Sequence, residues 1–118
     1  MPRIGKKMEE FKLKTKCIEL IKYTYIALRQ FPKSEKFTLS ADIKKYLYAT
    51  LENIIKLEKM QDKKRILNGL DINLQMLKTL TNMSMELNFL PIKKYEIITK
   101  HIVELGKMIG GYYRSIKG

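Results

Sequence analysis

The sequence predicts an all-α fold, an antiparallel up-down-up-down four-helix bundle. Apolar residues recur three and four residues apart over four long stretches, and the apolar–polar alternation typical of strands is absent. A loop over residues 31–39 and short segments around Asp62 and Pro91 separate these stretches. With 118 residues, the chain has the length of one domain. We therefore expect a single domain over residues 1–118, with helices over residues 7–30, 39–60, 62–88 and 91–117.

The predicted first helix ends before Pro32, because the residue that precedes a proline is driven out of the α-helical region. Its apolar residues follow the helical period and indicate one buried face. This face is predicted to contain Phe11, Ile18, Ile21, Tyr25 and Leu28, and to be widened by Leu13, Cys17, Leu20 and Thr24.

Cap residues predict where the other helices begin. Thr38 or Ser40 can cap the second helix, and Asp42 in its first turn favours the helix dipole. Asp62 is the predicted cap of the third helix, and Pro91 suits the first turn of the fourth. The expected core residues are Ile43, Leu47, Ile54 and Leu57 in the second helix, Ile66, Leu70, Leu77, Leu80 and Leu87 in the third, and Tyr95, Ile98, Ile102, Leu105, Ile109, Tyr112 and Ile116 in the fourth.

Charge is the first indication of function. The chain has 24 Lys and Arg against 12 Asp and Glu, a formal net charge of +12. Residues 1–30 carry 8 basic and 3 acidic groups, and residues 91–118 carry 6 and 2. The first and last helices are neighbours in this type of bundle, so their charges can form one surface. Such a surface favours nucleic acid or another polyanion, although a positive charge can also serve solubility alone.

The sequence lacks the residues that several kinds of catalytic and metal site require. Cys17 is the only cysteine, so an intrachain disulfide is impossible, and with the single His101 it cannot complete a zinc site. Paired carboxylates, a Glu-x-x-His motif and a phosphate-binding loop are absent. The sequence thus predicts no enzyme, cofactor or metal site. Without an apolar run of about 20 residues or a signal peptide, it predicts a cytoplasmic protein that does not enter a membrane.

The fourth helix carries a basic stripe opposite its apolar face, with cationic residues spaced seven apart. We predict that these residues, with cations of the first helix, bind nucleic acid or a protein partner. The predicted binding residues are Lys93, Lys100, Lys107 and Arg114 in the fourth helix and Lys12, Lys16, Lys22 and Arg29 in the first. Tyr23 and Ile26 are expected to face outward beside them.

Three glycines, Gly106, Gly110 and Gly111, fall inside the fourth helix, where each costs about 1 kcal/mol relative to alanine. Small residues four apart allow another backbone to approach closely. That backbone could belong to this bundle or to a second subunit. Both possibilities stay open for the glycines. Outward apolar residues, including Tyr23, Ile26, Ile97 and Val103, predict together with them a homo-oligomer.

Two segments carry a resemblance to a known family. The loop Phe31-Pro-Lys-Ser-Glu-Lys-Phe-Thr-Leu39 leads into Asp42-Ile43, and Tyr95-Glu96 precedes Val103-Glu-Leu-Gly-Lys-Met-Ile-Gly-Gly-Tyr112. Over about Phe11 to Ile116, the chain resembles the accessory variability determinant (Avd) proteins of diversity-generating retroelements. These belong to a wider set of small bundles that includes proteins encoded by intervening sequences of 23S ribosomal RNA. Tyr112 stands where the family usually has tryptophan.

This resemblance implies a bacterial or phage-encoded, non-catalytic accessory protein that assembles as a basic homopentamer. It implies binding to the element's reverse transcriptase and to RNA or DNA, in support of mutagenic retrohoming. Two alternatives stay open at this stage. One is a bundle of the ribosomal intervening-sequence type with a nucleic-acid-binding or unknown role, and the other is a small-ligand protein or enzyme with a pocket in its core.

Overall fold

Four long helices make up the fold. The computed structural model describes the backbone of residues 2–117 and the side chains of residue 5 and residues 7–116. The helices are α1 (Pro2–Leu28), α2 (Leu39–Lys59), α3 (Lys63–Glu86) and α4 (Ile92–Lys117), with a short 3-10 turn at Lys33–Glu35. Residues 2–117 contain no strand. The predicted all-α class is confirmed.

Each helix packs against its neighbours in the chain, and α1 also packs against α4. Over residues 2–117, the diagonal pairs α1–α3 and α2–α4 make no close backbone contact. Short connections reverse the chain direction between successive helices, so the arrangement is the predicted antiparallel four-helix bundle. The bundle measures 49 × 23 × 18 Å. It places the two helices with the largest positive excess side by side.

The core lies along the bundle axis and takes side chains from all four helices. The predicted core residues of α2 are buried, and α4 buries its predicted face from Ile98 to Tyr112. Tyr112 is completely buried, and its hydroxyl donates a hydrogen bond to Glu10 Oε2 of α1 at 2.7 Å. A buried phenol needs such a partner, because an unpaired hydroxyl in the core is costly. This bond ties the far end of α4 to α1.

The buried face of α1 differs from the prediction. Its fully buried side chains include Leu13, Cys17 and Leu20, which the sequence placed at the edges of the face, whereas Phe11 is 64% exposed. Apolar residues occur all round this helix, so their spacing alone did not identify the face that packs. The helix also begins at Pro2 instead of residue 7, because the intervening residues include good helix formers and proline is accepted in a first turn.

The helix ends show which cap predictions hold. Asp62 caps α3 as predicted, since its carboxylate accepts a hydrogen bond from the Arg65 amide. At α2, Thr38 occupies the cap position without capping, because its hydroxyl donates to Glu35 Oε1 at 2.7 Å. Ser40 lies inside the first turn of α2.

The third helix ends at Glu86, before the predicted residue 88. Asn88 adopts a left-handed conformation with φ 64°, and the Phe89 amide bonds the Ser84 carbonyl at 2.9 Å. This is a common way to end a helix, and asparagine tolerates the left-handed position better than most residues. Leu87, predicted in the core, is consequently 53% exposed.

Candidate nucleic-acid interface

The two basic helices α1 and α4 are bridged by an ion pair as well as by the Tyr112–Glu10 bond. Lys16 Nζ of α1 lies 2.5 Å from Glu104 Oε2 of α4 and 3.7 Å from Glu19 Oε2. The hydrogen bond from Lys16 lowers the pKa of the Glu104 carboxyl. Because Lys16 is committed to these carboxylates and its side chain is only 16% exposed, it differs from the free surface cation that the sequence predicted.

The predicted basic residues of α4 are all exposed: Lys93, Lys100, Lys107 and Arg114. None of them forms a salt bridge with a carboxylate among residues 7–116. A cation without a protein partner keeps its full charge available to a polyanion. The described side chains of α4 therefore present a line of exposed cations without salt bridges, with Glu104 near Lys100 as a partial countercharge.

Two of these residues line a groove between α3 and α4. The groove has a volume of about 390 Å³, and its cations are Lys107 and Arg114 of α4 and Lys78 of α3. Asp71 is its acidic lining residue. Lys78 was missed by sequence reasoning, because only the packing of α3 on α4 brings it beside Lys107. The stripe is thus wider at this end of the bundle than the sequence of α4 alone indicated.

Gly106 and Gly110 also line the groove, and contacts with the side chains of residues 7–116 do not explain them. A Cβ atom on Gly106 would lie 3.7 Å from Leu74, an ordinary contact distance. On Gly110 or Gly111 it would meet only the Arg114 guanidinium, at 3.6 and 3.8 Å. The bundle therefore has room for alanine at all three positions, although alanine is the better helix former. Close packing against the described side chains is therefore not the reason for these glycines.

The predicted basic residues of α1 do not form one surface. Lys12, Lys22 and Arg29 are exposed. Lys12 lines a shallow apolar depression with Met108 of α4, so it lies beside the α4 helix. Arg29 instead lines a separate cavity between α1, α2 and their connecting loop. The structure therefore brings Lys12 towards α4 but places Arg29 with a different set of cations.

The two residues predicted to face outward on α1 behave differently. Ile26 is 49% exposed. Tyr23 is half-buried, because its ring packs on His101 of α4 with ring centroids 5.8 Å apart. Tyr23 is therefore part of the contact between α1 and α4, in contrast to the predicted outward position. Ile97 and Val103 of α4 are exposed by 41% and 39%.

Other types of site find no support in the described residues. Residues 7–116 contain no group of three or more His, Cys, Asp and Glu side chains that could hold a metal ion. Over the same part of the chain, no helix combines the length and apolarity that a membrane span requires. Burial raises the pKa of the Cys17 thiol to about 12, which keeps it protonated and chemically inert at neutral pH.

A comparison with protein families identifies the family to which this chain belongs. A family model described as bAvd-like matches residues 11–116. The chain belongs to the bAvd-like family. This membership confirms the resemblance drawn from the two sequence segments, and the bAvd-like proteins are an accessory, non-catalytic family. A search of curated proteins finds no match.

Proposed function

We propose that this bAvd-like chain is a non-catalytic accessory protein of a diversity-generating retroelement. It binds the element's reverse transcriptase together with the template RNA or its DNA copy, and so supports mutagenic retrohoming. The observation that carries the proposal is the row of cations on α4 of a family member, in which Lys93, Lys100, Lys107 and Arg114 are exposed without salt bridges. Nucleic acid binds such a surface through release of its counterions.

The same proposal includes assembly as a homopentamer in the cytoplasm of a bacterium. It is supported by glycines that have no tight contact with the described side chains and by exposed apolar side chains on α1 and α4, including Phe11, Ile26 and Ile97. Exposed apolar residues on adjacent helices favour burial against another subunit. Assembly would also multiply the +12 charge of each chain and strengthen attraction to RNA.

Reconstitution with the reverse transcriptase of the same element tests this function. We expect the chain to copurify with the polymerase and to increase DNA synthesis on the template RNA. The variant Lys100→Glu/Lys107→Glu should reduce that synthesis at least tenfold, because it reverses two charges on α4. Lys59→Glu/Lys64→Glu is the matched control, since both lysines are exposed at the α2–α3 turn. Failure to bind the polymerase, with unchanged DNA synthesis, would contradict the proposed function.

A further inference from the structure

A second basic cavity lies where α1 connects to α2, and no residue of α4 lines it. Its volume is about 310 Å³. Four cationic residues line it, together with aromatic side chains and a serine of the first turn of α2. The four cations are Arg29, Lys33, Lys36 and Lys44. Tyr25 is one of the aromatic residues, and Ser40 is the serine.

The four cations have no acidic counterpart in the cavity. No Asp or Glu lines it, and none of the four forms a salt bridge within the described part of the chain. Lys44 Nζ lies 4.7 Å from the centroid of the Tyr25 ring, which holds this ammonium group in place without neutralising it. Tyr25 is itself fixed by a 2.5 Å hydrogen bond between its hydroxyl and that of Tyr48. Four like charges around one cavity repel one another unless an anion enters.

The loop carboxylate Glu35 and the first turn of α2 add to this arrangement. Glu35 accepts the hydroxyl proton of Thr38, so Thr38 does not cap α2. The first backbone hydrogen bond of the helix is donated by Asp42, to the Thr38 carbonyl at 2.9 Å. The preceding amides of the first turn consequently have no intrahelical acceptor. A helix start of this kind favours an anion, although on its own it does not define a site.

Ser40 provides an independent sign of a ligand. Its side chain is only 3% exposed and lines the cavity, yet its hydroxyl has no hydrogen-bond partner among the described residues. The Ser40 oxygen is not among the buried side-chain atoms that lack a partner, so it is reached from the cavity although the residue as a whole is buried. Ser84 differs, since its hydroxyl donates to the Leu80 carbonyl at 2.7 Å. The Ser40 hydroxyl is therefore left to face the contents of the cavity.

We propose that this cavity binds the phosphate monoester of a nucleotide. Arginine and lysine side chains, uncapped helix amides and a serine hydroxyl are the donors that proteins use for phosphate. The volume lies at the small end of the range for ligand pockets, which suits one nucleotide better than a continuous strand. Phe37, in the same loop, is 89% exposed and offers a ring on which the attached base can stack. The phosphate can belong to a free mononucleotide or to the 5′ end of a nucleic-acid strand.

This site is separate from the charged surface of α4, so either can fail without the other. Fluorescence anisotropy tests it with a single-stranded DNA hexamer that carries a 3′ fluorophore and either a 5′ phosphate or a 5′ hydroxyl. Salt near 150 mM suppresses binding that depends on the strand backbone alone. We expect the phosphorylated hexamer to bind at least tenfold more tightly. AMP should displace it, whereas adenosine at the same concentration should not.

Three variants locate the site. Arg29→Gln/Lys36→Gln should abolish the preference for the 5′ phosphate, and Ser40→Ala should reduce it several-fold without any change of charge. Lys59→Gln/Lys64→Gln removes the same charge at the far end of the bundle and should leave the preference intact. Circular dichroism checks that each variant stays folded. Displacement by AMP assigns the site to any nucleotide phosphate, and resistance to AMP assigns it to a strand end.

Two results would overturn the proposal. One is equal affinity of the wild-type protein for the two hexamers. The other is a phosphate preference that survives both Arg29→Gln/Lys36→Gln and Ser40→Ala. Since the α4 variant Lys100→Glu/Lys107→Glu should keep its preference for the phosphorylated hexamer, the proposed function of the α4 surface and this inference are tested independently.

Discussion

The Tyr112 hydroxyl of α4 donates a 2.7 Å hydrogen bond to the Glu10 carboxylate of α1, residues that lie at opposite ends of the chain. The bond gives a buried phenol its partner, and it holds together the two helices that carry most of the positive charge. Burial and the Glu10 carboxylate raise the pKa of the Tyr112 phenol. Both effects favour the neutral phenol in the folded protein.

Tyr112→Phe should lower the free energy of unfolding by about 1 kcal/mol at neutral pH, because it removes this hydrogen bond. The folded pKa of the phenol lies above its unfolded value of about 10, so its contribution is complete below pH 10 and declines as the pH rises further. The variant should therefore lose less stability than the wild type between pH 9 and 11. Urea unfolding across this range measures both effects.

Tyr46→Phe is the control for Tyr112→Phe, since the Tyr46 hydroxyl has no hydrogen-bond partner among the described residues. It should change stability by less than about 0.5 kcal/mol and leave the alkaline response as in the wild type. Identical behaviour of the two variants would show that the bond to Glu10 contributes nothing.

Replacing Ile102 or Leu105 with alanine should lower the free energy of unfolding by about 2 to 5 kcal/mol. Ile102 is 2% exposed and Leu105 is fully buried in the centre of α4, so each truncation leaves a cavity in the core. Glu96→Ala, at an exposed position of the same helix, should cost less than about 0.5 kcal/mol. Thermal unfolding followed by circular dichroism compares the three. An unchanged melting temperature for both core variants would place the buried face of α4 elsewhere.

Cys17 should resist thiol reagents in the folded protein. Its thiol is fully buried, and burial raises its pKa to about 12, so almost no thiolate is present at pH 8. Reaction with Ellman's reagent should be at least a hundredfold slower in buffer than in guanidinium chloride, where the thiol recovers its ordinary pKa. Rapid labelling of the native protein would show that α1 separates readily from the core.

Light scattering should report an oligomer, most simply a pentamer, instead of a 14.0 kDa monomer. Gly110→Leu should break up that oligomer, because the added side chain fills the space that a neighbouring backbone would approach. Gly110→Ala is the comparison, since a Cβ here meets only Arg114 at 3.6 Å. A monomeric wild-type protein, or a Gly110→Leu variant that assembles normally, would mean that these glycines serve another purpose.

The sequence identified the helices and the buried face of α4 because the apolar residues of that helix fall on one stripe. The face of α1 was harder to locate, since Phe11 and Ile26 continue the apolar pattern onto the exposed side. Lys78 could not be assigned to the basic groove, because only tertiary packing places it beside Lys107. The cavity at Ser40 was equally hidden. It depends on the conformation of the loop before α2. There the Thr38 hydroxyl donates to Glu35, whereas the sequence predicted that Thr38 or Ser40 would cap α2.

Filter binding of the isolated protein to single-stranded RNA, over a series of salt concentrations, tests the central claim most directly. Each phosphate neutralised on a single strand contributes about 0.7 to the slope of log affinity against log salt concentration. Lys100→Glu/Lys107→Glu should weaken binding to every sequence and flatten this slope, while helicity and assembly stay unchanged. Lys59→Glu/Lys64→Glu should have a much smaller effect. The account would be contradicted by an isolated protein with no affinity for RNA at low salt, or by equal binding curves for the α4 variant and the wild type.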